Sequence, residues 1–258
     1  MLKVAHTPDP DDAFMFYALM NKKVDTWLEF EHFIEDIETL NRKALKGVYE
    51  VTAISVHAYK YAKDKYRILS AGSSVGDGYG PVVVAREKID LRGKRIAVPG
   101  KLTTAYLLLK MALDHFEPVE MRFDEVVKAV LDKKCDAALI IHDLQLVFED
   151  LGLSKVLDLW EWWYKNFKLP LPLGLNVVRR DVESEVQKEF LNCMKESISY
   201  ALKNVEEALN YAMRFSRLDK EKTKTFVLMY VNKYTYEMPE NVVEALKIIY
   251  REEPDILY

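Results

Sequence analysis

The chain has 258 residues, of which half are hydrophobic and 30% charged, and its formal net charge is −4. That is an ordinary globular composition, long enough for one large domain or two medium ones with a substantial core. The mild negative charge gives no electrostatic reason to expect nucleic acid or an anionic membrane as partner, so an acidic small-molecule ligand has to be held locally.

No apolar run approaches bilayer-spanning length, and the start Met1-Leu2-Lys3-Val4-Ala5-His6 lacks the pattern of a signal peptide. Cys135 and Cys193 fall in no metal or redox spacing and read as packing residues. The expectation is a cytoplasmic protein.

Strand-like and helix-like patterns alternate through the first two thirds. Leu2 to Ala5 reads as a strand, followed by a helix from about Asp11 to Met20 with Asp9, Asp11 and Asp12 near its start, where carboxylates suit the helix dipole. Leu28 to Phe33 alternates like a strand, and Asp36 to Leu45 is a helix closed by Gly47. Val51 to Ile54 is a strand, with Ser55 placed to cap the helix after it. Arg67 to Val75 and Pro81 to Ala85 read as strands flanking Gly76-Asp77-Gly78-Tyr79-Gly80.

A second alternation starts after Leu91-Arg92-Gly93. Its strands are Arg95 to Val98, Val119 to Phe123, the run Cys135 to Ile141, Val156 to Leu159 and Leu173 to Val178. The helices between them run from Thr103 to about Asp114, Asp124 to Leu131, about Asp143 to Asp150, and through a Trp-rich segment. From Glu183 onward the pattern is helical, with an apolar stripe wide enough to need the first sheet as its partner. These units predict α/β architecture with largely parallel sheets: one lobe from residues 1–88, completed by 179–258, and a second lobe inserted at 89–178. A small-molecule site is expected in the cleft between lobes.

The candidate chemistry lies where strands run out, because ligands of open α/β sheets sit at carboxyl ends of strands. His142 follows such a strand, and because an unperturbed imidazole titrates near neutrality it suits a proton acceptor, and equally a histidine that caps the next helix or hydrogen-bonds backbone. His6 also follows a strand, but Pro8 and Pro10 favour a structural turn there. His32, His57 and His115 lie in a strand, a first helical turn and a helix end. Thr103 and Thr104 open a helix directly after a strand, which makes an anion site or an ordinary cap. Gly100-Lys101-Leu102 before them lacks P-loop spacing. Ser55, Ser73 and Ser74 stand at comparable strand ends, the last two beside the glycine cluster, where backbone can approach a ligand or simply turn. Asp9, Asp11 and Asp12 read as capping carboxylates rather than metal ligands, and Trp160, Trp162 and Trp163 as packing aromatics. Leu169-Pro170-Leu171-Pro172-Leu173-Gly174 reads as a rigid extended crossover. Neither a metal nor an organic cofactor has a recognisable motif.

Taken together, several segments resemble the 1,4-dihydroxy-6-naphthoate synthases, menaquinone-pathway enzymes of the futalosine route. They are Asp9-Pro10-Asp11-Asp12 with Phe14-Met15-Phe16-Tyr17, Glu35-Asp36-Ile37-Glu38-Thr39-Leu40-Asn41, Val98-Pro99-Gly100 leading to Thr103-Thr104-Ala105-Tyr106, and Leu139-Ile140-Ile141-His142. Val156-Leu157-Asp158-Leu159, Glu161-Trp162-Trp163 and the Leu-Pro crossover continue the match in order. The resemblance implies a two-lobed type II periplasmic-binding-protein-like fold and a lyase that converts cyclic dehypoxanthinyl futalosine into 1,4-dihydroxy-6-naphthoate without metal or organic cofactor. It also implies that His142 is the proton acceptor, and that Ala53-Ile54-Ser55 and Thr103-Thr104 bind substrate. The chain departs from the family at Pro8-Asp9-Pro10-Asp11-Asp12-Ala13, where the family has Pro-Cys-Pro-Asn-Asp-Thr, and at Trp160, where a glycine is usual. The alternatives are chorismate dehydratase of the same pathway, disfavoured by Ile140-Ile141-His142 and Glu161-Trp162-Trp163, and a non-catalytic solute-binding protein, for which a leader or an anchoring cysteine is expected.

Overall fold

A computed structural model describes residues 1–258. The chain begins with β1 (Leu2–His6), α1 (Pro10–Met15), α2 (Tyr17–Met20), β2 (Phe30–Ile34), α3 (Ile37–Ala44), β3 (Val51–Ser55), α4 (Val56–Ala62), β4 (Tyr66–Leu69) and β5 (Ser74–Gly76). It continues through β6 (Val82–Ala85), β7 (Arg95–Val98), α5 (Thr104–Ala112), β8 (Glu117–Glu120), α6 (Val126–Leu131), β9 (Ala137–Ile140), a 3-10 turn (His142–Leu146), β10 (Ser154–Asp158) and α7 (Leu159–Phe167). β11 (Leu171–Arg179), α8 (Ser184–Lys203), α9 (Val205–Ala212), α10 (Lys220–Tyr230), α11 (Lys233–Tyr236), α12 (Glu240–Tyr250) and β12 (Ile256–Leu257) complete it.

Two compact units result. The larger comprises Met1–Val75 and Pro172–Tyr258. Its sheet has the order β12-β4-β11-β3-β1-β2, with β5 beside β11. Its helical tail covers that sheet: Phe190, Met194 and Ile198 of α8 and Leu209 of α9 share one core with Leu2, Val4 and Val51 of the strands and Phe14 of α1. The expected helix from Asp11 to Met20 is interrupted at Phe16, which closes α1 and opens α2.

The inserted unit, Gly76–Leu171, carries the sheet β10-β6-β9-β7-β8. Val82 and Val84 of β6, Ala138 and Ile140 of β9 and Val127 and Val130 of α6 form its core. The margins of the units differ from the expected 1–88, 89–178 and 179–258. β6 pairs with β9 and β10 and so belongs to the inserted unit, whereas β11 pairs with β3 and β4 and belongs to the larger one. A four-residue apolar run such as Val82-Val83-Val84-Ala85 is a good strand in either sheet, and hydrophobic pattern identifies an element without identifying its partner. β6 and β11 are also antiparallel to these neighbours, whereas β1 with β2 and β3, and β7 with β8 and β9, are parallel. The sheets are therefore mixed rather than largely parallel; besides the strands joined through helices, β12 also runs parallel to β4.

Candidate active site

In the inserted unit, β9 is buried at all four positions and stops at Ile140. Ile141 remains extended (φ −124°, ψ 172°), and His142 then turns left-handed with φ +62°. Left-handed backbone costs a residue with a Cβ about 1–2 kcal/mol. His142 starts a short 3-10 turn instead of the expected helix over 143–150, so the histidine is not the cap of an α-helix. The turn takes its half-buried ring out of the strand's pleat and sets it edge-on to Phe123, centroids 5.1 Å apart and planes at 75°. Backbone strain retained at a histidine, a side chain suited to proton transfer, is a pattern of functional sites.

Gly100 (φ +136°) bends the chain after β7 and leads to Thr103, the N-cap of α5. The Thr103 hydroxyl donates to the Gly100 carbonyl at 2.8 Å and accepts from the Tyr106 N–H at 3.2 Å. Its single proton is thereby used, and Thr103 acts as a cap. Thr104 is buried in the first turn of α5. An anion at α5 would meet first-turn N–H groups rather than the Thr103 hydroxyl.

In the larger unit, Ser55 ends β3 and occupies the N-cap position of α4, yet its side chain makes no capping bond. Its hydroxyl oxygen instead accepts from Asn41 Nδ2 at 3.0 Å, while its N–H donates to Asn41 Oδ1 at 2.8 Å. Ala53 and Ile54 are buried inside the sheet, where β3 runs beside β11, so only their backbone can meet a ligand. Ser73 is buried and gives its proton to the Tyr234 carbonyl at 2.7 Å, which leaves its oxygen only as an acceptor; Ser74 opens β5 and is partly exposed.

His6 has a structural place. It is fully buried, stacked on Phe16 at 4.6 Å, with Nδ1 2.9 Å from the Thr7 carbonyl and Nε2 without a partner. Burial pushes its pKa down to about 4. His32, 5.9 Å away, is pushed to about 4 by burial and by the neighbouring His6. Asp9 is the N-cap residue of α1 and Asp11 and Asp12 stand in its first turn, as expected, but the Asp9 side chain makes no capping bond: Asp12 accepts the Thr7 N–H at 2.7 Å, and the Thr7 hydroxyl lies 2.8 Å from both Asp9 and Asp12. They close the turn before α1. Trp160 fits beside Gly80, where any side chain would bring its Cβ within 2.9 Å of the Trp160 Cβ, and its ring stacks on Tyr164. Trp163 donates to the carbonyls of Leu169 and Pro170, holding the crossover strap.

No three His, Cys, Asp or Glu side chains converge as a metal-sized group, and no helix is long and apolar enough to cross a membrane. The sequence pattern assigns Asn41 no role beyond its place in the Glu35–Asn41 motif. The available signal was an amide on the buried side of a helix, next to Leu40 and Ala44.

A profile of the menaquinone biosynthesis family matches residues 2–253. The chain belongs to that family. A 1,4-dihydroxy-6-naphthoate synthase of Thermus thermophilus is 38% identical, over 97% of this chain and 93% of its own length. A crystal structure of an Archaeoglobus fulgidus protein is 64% identical with a TM-score of 0.96, covering 97% of this chain and 95% of that one. The fold extends beyond the family. The alkanesulfonate-binding protein of Xanthomonas axonopodis pv. citri, solved with MOPS bound, has a TM-score of 0.72 at 11% identity, covering 98% of this chain and 94% of its own. The menaquinone-family chain thus has the α/β periplasmic-binding-protein-like fold expected from its sequence.

Proposed function

We propose that the chain is a 1,4-dihydroxy-6-naphthoate synthase, a lyase converting cyclic dehypoxanthinyl futalosine into 1,4-dihydroxy-6-naphthoate, with His142 as the base. The observation that carries the role of His142 is its left-handed backbone at the end of a buried strand. Full-length similarity to a synthase supports the choice of reaction.

The residues suit that chemistry. Opening the substrate ring and forming an aromatic diol requires a proton to leave a carbon next to a carbonyl, after which aromatic stabilisation drives the step. A positioned imidazole accelerates such a transfer by roughly 10²–10⁴-fold. The Ser55 hydroxyl and the first-turn N–H groups of α5 are donors suited to the substrate carboxylate and to the enolate oxygen that develops as the proton leaves. None of these roles calls on a metal, so activity is expected to survive exhaustive dialysis against a chelator; a loss restored by one divalent ion would overturn that part. A cytoplasmic location goes with this reading, supported by a biosynthetic family and by two buried, unpaired cysteines.

The direct test is incubation of the purified protein with cyclic dehypoxanthinyl futalosine. Appearance of the naphthoate is the expected result, and a substrate left intact by well-folded protein would reject the proposal.

A further inference from the structure

The pair Asn41 and Ser55 carries information about the direction of a hydrogen bond. The Ser55 N–H is a donor only, so the Asn41 atom 2.8 Å from it has to be the carbonyl oxygen Oδ1. That fixes the amide orientation and leaves Nδ2, also a donor only, 3.0 Å from the Ser55 hydroxyl oxygen. The hydroxyl accepts this bond and donates to no group of the protein. Its proton remains for a ligand.

Asn41 is held firmly enough to impose this polarity. It is fully buried on α3, whose first turn is capped by Asp36 accepting from the Thr39 N–H at 3.1 Å. Near the other end, Lys43 bridges Glu35 and the Tyr49 hydroxyl, at 2.5 and 3.0 Å. Both remaining polar atoms of Asn41 go to Ser55, so it has no second structural task among side chains.

We infer that Asn41 is a positioning residue that keeps Ser55 in the donor state, so that this serine meets an anionic or carbonyl oxygen of the substrate and cannot serve a substrate donor equally well. The inference rests on the reading of Ser55 as a substrate-binding residue. A serine hydroxyl without such a neighbour rotates to donate or accept as its partner requires. Here the choice is made before the substrate arrives, and an electrostatic contact arranged in advance needs no reorganisation during binding.

The test is a reversal of that polarity. In Asn41→Asp the ionised carboxylate still accepts from the Ser55 N–H but has no proton for the hydroxyl, so the hydroxyl turns and donates to the carboxylate instead. With cyclic dehypoxanthinyl futalosine as substrate, KM is expected to rise at least about tenfold with kcat changed far less, the size of a lost hydrogen bond to a charged group. Ser55→Ala should raise KM similarly. The double variant should be no worse than either single one, because both remove the same donor. Lowering the pH to protonate the new carboxyl gives it a proton to donate, so KM of Asn41→Asp should return toward the wild-type value, a limb that the wild type and Ser55→Ala lack.

Independent losses that multiply in the double variant would overturn the inference, since simple repulsion by a new charge persists without the hydroxyl. An unchanged KM in Ser55→Ala overturns it too, even if Asn41→Asp does not fold. Wild-type protein run alongside separates the two levels. Conversion by wild type with multiplying losses rejects this inference alone; no conversion by wild type rejects the proposed reaction and the inference with it.

Discussion

His6 and His142 both stand at the carboxyl ends of buried strands, and their surroundings could hardly differ more. His6 is the last residue inside β1, paired in register with Ile34, so the pleat dictates which face its ring takes. That face is the core, where Phe16 stacks on it and burial pushes its pKa down to about 4. His142 comes two residues after β9 has ended, and its left-handed backbone carries the ring away from the pleat. A histidine within the ladder is committed by the sheet to packing, whereas one just beyond it can be aimed. Proximity to a strand end is therefore a weak signal until the last ladder residue is known.

The largest effect that separates the two is on turnover. His142→Asn is expected to fold and bind substrate but to lose at least about 10²-fold in kcat, the contribution of one positioned base. His6→Phe keeps an aromatic ring against Phe16 and should retain kcat per folded molecule. Near-normal turnover by His142→Asn would take the residue out of the mechanism; an equal loss in both variants would erase the distinction.

Acid should divide them in the other direction. An unfolded histidine takes up its proton near pH 6.5, whereas folded His6 and His32 resist it until about pH 4. Between those values the unfolded chain binds more protons than the folded one. The stabilisation from keeping these rings neutral is complete above pH 6.5 and is lost as pH falls toward 4, by up to about 1.4 kcal/mol per pH unit for each ring, less for the partly exposed His32. Urea midpoints measured between pH 7 and 5, before most carboxylates titrate, should fall for the wild type and fall less for His6→Phe. A slope indifferent to that substitution would show that His6 is not the group resisting protonation.

The same contrast between committed and available groups holds for hydroxyls, with a smaller effect. Thr103 uses its proton on Gly100, so Thr103→Val should cost about 1 kcal/mol of stability as a lost helix cap. Its KM should move less than that of Ser55→Ala. A Thr103→Val variant of unchanged melting temperature and much weaker substrate binding would return Thr103 to the binding residues.

Much of the architecture was legible in the sequence because it is written in local periodicity. The buried run through Ala137-Ala138-Leu139-Ile140, the α3 cap Asp36 and the apolar stripe of α8 are each visible within a dozen residues. What escaped depends on partners far along the chain or on one atom's hydrogen. β6 and β11 were recognised as strands, but the sheet each joins is decided by contacts with β9, β10, β3 and β4. Asn41 looks like any polar helix residue until β3 brings Ser55 against it, fourteen positions later. Thr103 showed both a cap and an anion site in the sequence, and only the direction of its hydroxyl in the fold separates them.

The finest discrimination between the two histidines is backbone strain. Glycine adopts φ near +62° without the Cβ conflict, although it loses more freedom on folding than other residues, so the two effects partly cancel. His142→Gly is expected to raise stability by about 0.5–1 kcal/mol while abolishing the base, provided the contacts of the ring, the edge contact with Phe123 among them, contribute little. His6→Gly has no strain to relieve and empties a fully buried site, so it should lower stability by several times that amount. Paired urea titrations at pH 7.5, where His6 and His32 are neutral in both states, measure the difference directly. If His142→Gly proved less stable than the wild type by 1 kcal/mol or more, the left-handed turn would be held by favourable ring contacts. Strain would then no longer argue for its function.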